Sequence, residues 1–184
     1  MSGMRLASVS AWVITTSLAV SATAHAQPRV SAGSAAAGGD IGVYSGIQDY
    51  LGSGLTLEGF YEYYFDPRVS MRFGLGWAEP EFENDEDAVK IVRIPFDILY
   101  NWNGGDVRPF VGAGIGAYIL TLKDNGRTVR DSESTLGATL FGGVEFSASR
   151  STALKAELRY HIIDDIRGVE PDGFSLTIGL KKYF

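Results

Sequence analysis

No cysteine occurs in the chain, and histidine occurs only twice. The missing thiols exclude disulfide staples and a cysteine-linked lipid anchor. Together the two shortages leave no paired ligand set for zinc or haem. Basic residues are in deficit, 16 against 22 acidic, for a net charge of −6. They form no cluster, so the chain is a poor partner for nucleic acid. No glycine-rich phosphate loop stands between a strand and a helix. Long apolar runs are absent beyond the first twenty or so residues, which excludes a helical span. Any later segment entering a membrane must do so as strands of a closed barrel, because unpaired strand edges are too costly in lipid.

What is present begins with a short cationic start, Met1 to Arg5, and an apolar stretch from Leu6 to about Val20. Ala24-His25-Ala26 follows as a small-x-small cleavage pattern. Residues 1–26 are expected to be a cleavable signal peptide, since about 15 apolar residues fall short of the ~20 a span needs. Removing them takes away one base, Arg5, so the mature chain is more acidic still. Its length suits one domain. Glycine is abundant at 23 residues and aromatics make up 12%, a mixture suited to strands and tight turns.

Residues 27–39, rich in Ala, Gly and Ser, show no sustained period and are expected to be a flexible leader. The domain is expected over 40–184. It divides into eight alternating segments: 40–48, 55–65, 69–78, 88–102, 107–122, 134–146, 152–163 and 174–184. Asp66-Pro67-Arg68, Asn103-Gly104-Gly105-Asp106 and 147–151 read as tight turns. The connections between them are mostly long. Pro95 and Pro109 suggest bulges or strand starts. Each segment has roughly the ~9–11 residues a tilted strand needs to cross a bilayer. Short turns on one side and long loops on the other fit an eight-stranded antiparallel up-and-down transmembrane β-barrel.

Alternation alone also suits a soluble barrel, so the polarity of the two faces has to decide. One face carries Trp77, Trp102, Tyr63, Tyr100, Phe73 and Phe96 among aliphatics, too many large rings for a narrow eight-stranded lumen. That face is expected to meet lipid. The opposite face collects Glu58, Glu62, Asp97, Glu145 and Glu157 with Arg72, Arg93, Arg108, Lys155, Arg159 and Lys181. These are expected to pair across the lumen, because unpaired charges there are expensive. Gly42, Gly46, Gly74, Gly76, Gly112, Gly114 and Gly116 make room for them or leave a thin water path. Phe65, Trp102, Phe146 and Phe184 fall at the ends of alternate strands, where they are expected to form an aromatic girdle.

With these features the chain resembles the small outer-membrane β-barrel superfamily, the OmpA-like and OmpX-like eight-stranded domains. The resemblance rests on residues 108–116, on Glu157-x-Arg159-Tyr160, and on the alternating terminal strand from Ser175 to Phe184. It implies residence in the bacterial outer membrane among lipid and lipopolysaccharide. It also implies assembly by the barrel insertion machinery, which reads the last strand. Lys182 departs from the pattern, where an apolar or aromatic residue is usual. In phase with Phe184 it would face lipid near the interface, at a cost of only ~0–1 kcal/mol.

A monomer with a structural or surface-interaction role is the first expectation, without cofactor, metal or catalytic residues. A narrow passive channel is the second. The third is a lipid A-modifying enzyme of the deacylase kind, in which a Ser follows the His of strand seven by two positions. Here that position is Ile163, and Ser175 is expected to reach His161 only if the strand phases are wrong. Acidic residues in 79–87 and at Asp164, Asp165, Glu170 and Asp172 match no EF-hand spacing and are expected to be a solvated rim.

Overall fold

The computed structural model describes residues 30–48, 51–82, 88–102, 105–124, 127–128, 132–164 and 171–184. The expected signal peptide and residues 27–29 of the expected leader lie outside the described residues. So do 83–87 of the acidic loop, Asp165 and Glu170. Eight long strands build the wall: β1 (Ala35–Gly46), β2 (Leu51–Tyr64), β3 (Val69–Phe82), β4 (Ala88–Asn101), β5 (Val107–Asp124), β7 (Glu133–Ser147), β8 (Thr152–Ile163) and β9 (Gly173–Tyr183). A two-residue strand, β6 (Arg127–Thr128), pairs with the far end of β5. Each long strand pairs antiparallel with its sequence neighbour, and β1 pairs with β9. The sheet is therefore closed and leaves no edge along the wall.

The turns joining β2 to β3, β4 to β5 and β7 to β8 lie on one rim, with the start of β1 and the end of β9. Asp66 shapes the first of them, accepting from the backbone N–H groups of Arg68 at 2.6 Å and Val69 at 3.1 Å. Gly105 occupies the second with φ +69°, a left-handed conformation that side-chain-bearing residues seldom adopt. In the third, Ala148 N–H donates to the Thr152 carbonyl at 2.9 Å.

Several strand limits differ from the sequence-based expectation. β1 begins at Ala35, so 35–39 belong to the wall and not to a leader. These small residues carry no visible period, but they are fixed by pairing with both β2 and β9. β2 begins at Leu51, β3 runs on to Phe82, and β5 reaches Asp124. Pro95 causes no bulge. The β3–β4 register is the same on either side of it, and the ladder only lapses between Phe73↔Phe96 and Gly76↔Arg93. Proline lacks the N–H to continue that ladder.

The extensions have a physical reason. Along most of each strand the outward residues are apolar and exposed, as with Ile98, Ile115, Leu136, Leu158 and Ile178. Toward the long-loop rim the outward positions become polar: Ser45, Ser53, Glu79, Lys90, Thr121, Ser134 and Asp164. At the same level the inward positions become apolar. Tyr44, Leu51, Ala78, Val89, Ile91, Tyr118, Leu120 and Ile163 form one buried cluster. The polarity of the wall thus inverts. Below the inversion it is apolar outside and charged within, and above it the wall resembles a water-soluble barrel.

Candidate functional site

The lumen below the inversion holds all eleven charged residues that the alternation assigned to it, each buried. Asp40 joins them, a residue the sequence reading left out of the inward set although it shares the phase of Gly42. With it, six acids face six bases among the described residues. Glu157 is the hub. Its Oε2 lies 2.7 Å from Arg72 Nη1 and 3.1 Å from Lys155 Nζ, and its Oε1 lies 3.0 Å from Arg159. Lys155 continues to Asp40 at 2.6 Å, and Arg159 to Asp97 at 2.8 Å. Arg93 holds Glu58 at 2.8 Å. Toward the short-turn rim, Arg72 also meets Glu62 at 3.2 Å, and Lys181 bridges Glu62 at 2.8 Å and Glu145 at 2.5 Å.

Hydroxyls take up part of the remaining capacity. Ser70 donates to Glu62 at 2.7 Å, Lys181 to the Tyr64 hydroxyl at 2.7 Å, and Tyr183 to Glu145 at 2.5 Å. Sequence reasoning missed Tyr64 and Tyr183. The signal was their phase, which they share with Glu62 and Lys181. Arg108 is the exception to carboxylate pairing among the described residues. It donates to the Tyr183 hydroxyl at 3.3 Å and the Pro67 carbonyl at 3.2 Å.

Three phenylalanines, Phe60, Phe110 and Phe141, also point inward, against the expectation that large rings face out. Each lies opposite a glycine on the neighbouring strand: Gly38, Gly143 and Gly112 respectively. A methyl group at any of these glycines would collide with the ring. The rings in turn seat cations. The Arg159 guanidinium lies 4.1 Å from the centre of Phe141, and Lys155 Nζ lies 4.5 Å from that of Phe60. Such contacts stabilise a desolvated cation by about 2 kcal/mol. Gly76 serves a different purpose, since any side chain there would displace Arg93.

Above this network His161 Nε2 lies 3.0 Å from Ser175 Oγ, and Nδ1 lies 3.2 Å from the Tyr118 hydroxyl. The expectation that these strand phases keep Ser175 from His161 is therefore corrected. Both side chains are inward, on adjacent strands, one diagonal step apart in register. The pair is fully buried, at 0% and 2% exposure. Among the described residues no carboxylate takes the orienting position, which Tyr118 fills. Tyr44 packs its ring 5.3 Å from that of His161 and donates its hydroxyl to the Pro171 carbonyl. Among the described residues no cluster of His, Asp and Glu could hold a metal ion.

Phe65, Trp102, Phe146 and Phe184 are exposed on the outer surface of the short-turn rim, together with Tyr100. Lys182 points outward beside them.

A closed antiparallel barrel with an apolar outer band and buried charges in its lumen is the architecture of a bacterial outer-membrane barrel. The sequence model of the outer membrane protein beta-barrel domain family matches residues 14–181, and the chain belongs to that family. Among solved structures, Neisserial surface protein A superposes with a TM-score of 0.66 at 17% identity, covering 85% of this chain and 100% of that one. OprG from Pseudomonas aeruginosa gives 0.66 at 12%, with 84% and 97% covered. The outer membrane enzyme PagL gives 0.52 at 13%, with 80% and 98% covered. At these identities the likeness is one of fold alone. Comparison with curated protein sequences returned no match. The protein is thus a β-barrel of the bacterial outer membrane.

Proposed function

We propose that this protein is a closed-lumen barrel with a structural or surface-interaction role in the envelope, neither a pore nor an enzyme. The observation that carries the reading is the lumen itself, where six acids and five of the six bases interlock from Lys181 to Arg93. Opening a path would break buried pairs, each at a cost of about 3–5 kcal/mol. The refolded barrel in a planar bilayer is expected to show no steady single-channel steps, and such steps would overturn the reading.

A narrow passive channel is the second reading. Among the described residues four buried polar atoms favour it, having no hydrogen-bond partner: Asp40 Oδ1, Glu58 Oε1, Arg72 Nη2 and Asn101 Oδ1. Each is a place for a water molecule. Three of the four belong to side chains held in ion pairs, which supports isolated waters over a continuous file.

The enzyme reading has less support. His161 and Ser175 face the lumen and not the lipid, and a tyrosine stands where a triad needs an acid. Lipopolysaccharide incubated with the protein is expected to keep its acyl chains by mass spectrometry. The long loops, above the inverted section of the wall, are the surface available for contact with other molecules. The outward face of β9 is what the insertion machinery would read.

A further inference from the structure

Apolar grooves mark the outer surface among the described residues. One, of about 610 Å³, runs across β7, β8, β9 and β1. It is floored by Gly39 and Ala156 and walled by Ile41, Leu154, Ile178 and Leu180. Lys182 lies one outward step beyond Leu180, toward the short-turn rim. Its direct cross-strand neighbours are Ala37 on β1 and Thr152 on β8. Both are uncharged, and among the described residues no carboxylate lies within 4.0 Å of Lys182. Two further grooves lack this arrangement. One has the outward Asp164 in its lining, the wrong sign for an anionic headgroup, and the other has no charged residue there; the two charged residues that line the first groove, Asp40 and Lys155, are buried and paired with each other at 2.6 Å.

We propose that this groove and Lys182 together hold one anionic phospholipid of the periplasmic leaflet. An acyl chain lies along Ile41, Ile178 and Leu154, and the phosphate meets the ammonium at the rim. The order of the parts matches a lipid in place: apolar groove in the hydrocarbon, cation at the headgroup level. The proposal rests on the membrane location of the barrel and is independent of whether the lumen conducts. It also gives a use to the one residue that breaks the apolar face of the last strand. Among the described residues this outward lysine has no partner of opposite charge within the wall.

The test uses the refolded protein in phosphatidylcholine vesicles containing a minority of phosphatidylglycerol, followed by native mass spectrometry. The wild type is expected to retain one phosphatidylglycerol in preference to phosphatidylcholine. Lys182→Gln is expected to lower that retention about fivefold, the effect of one lysine near an anionic surface. Lys182→Arg keeps it. Gly39→Leu fills the groove from outside, since the nearest atom to a new Cβ is the Glu58 carbonyl oxygen at 3.5 Å. It is expected to lower retention as well. Lys90→Gln, at the opposite rim, leaves it unchanged. Heat-modifiable migration in detergent gels confirms that each variant is folded. Equal retention of the two lipids by the wild type overturns the proposal. So does wild-type retention in either folded Lys182→Gln or folded Gly39→Leu.

Discussion

Glu157 binds three cations at once, each within 3.1 Å, and so joins the branches of the lumen network. Glu157→Gln leaves Arg72, Lys155 and Arg159 buried with their charge partly uncompensated. The expected loss is about 3–5 kcal/mol, read as a lower urea midpoint for unfolding from lipid vesicles. Adding Lys155→Met restores the balance of charge but strands the buried Asp40, its other partner, and is expected to lose further stability. Full additivity of the two changes would show that they are not coupled.

The charges of the lumen were legible in the sequence because alternation within a strand is strict and the eleven named residues kept their phase. Asp40 escaped because the residues before it are Ala and Gly, on which no alternation shows. Ser175 and His161 were placed on the correct face yet judged out of reach. Their contact depends on the register between β8 and β9, which the pattern within one strand does not encode. Phe60, Phe110 and Phe141 needed the same knowledge, since each inward ring is admitted only by a glycine on the next strand.

Within β9 the two adjacent lysines make a sharp contrast. Lys181 is buried between Glu62, Glu145 and Tyr64, while Lys182 is exposed on the outer face. Lys182→Tyr is expected to assemble as well as the wild type or better, judged by the folded fraction on unheated gels. Lys181→Gln removes the cation between two buried carboxylates, Glu62 and Glu145, and is expected to lose folded yield. A reversal of that order would mean that the strand is turned over. On β5, depth decides the cost of a new charge. Ile115, exposed at 67%, lies within the apolar band, and Ile119 lies one outward step below Thr121. Ile115→Lys is expected to cost about 2–4 kcal/mol and Ile119→Lys about 0–1, measured as unfolding free energies in the same vesicles.

The strand ends were the least legible part of these elements. Sequence reading closed β3 at Ala78 because Glu79 ends its outward apolar run. The chain in fact continues as strand with its faces exchanged. An apolar residue such as Val89 looks alike to the eye whether it faces lipid or a dry interior.

For the whole molecule, closure of the sheet and the balanced interior together predict a barrel that unfolds as one unit. Unheated samples are expected to migrate apart from boiled ones in detergent gels. A single position regardless of heating would contradict a closed barrel. The exchange of faces toward the long-loop rim has a kinetic consequence. That part of the wall presents Glu79, Lys90 and Asp164 on its outer side, so it cannot rest in hydrocarbon. Yet each hairpin tip on that side has to cross the bilayer to reach its final place. Every charge carried through the centre adds about 2.5–3.5 kcal/mol to the barrier, and the short-turn rim never makes the journey. Insertion therefore has a built-in direction and a steep toll for proceeding unaided.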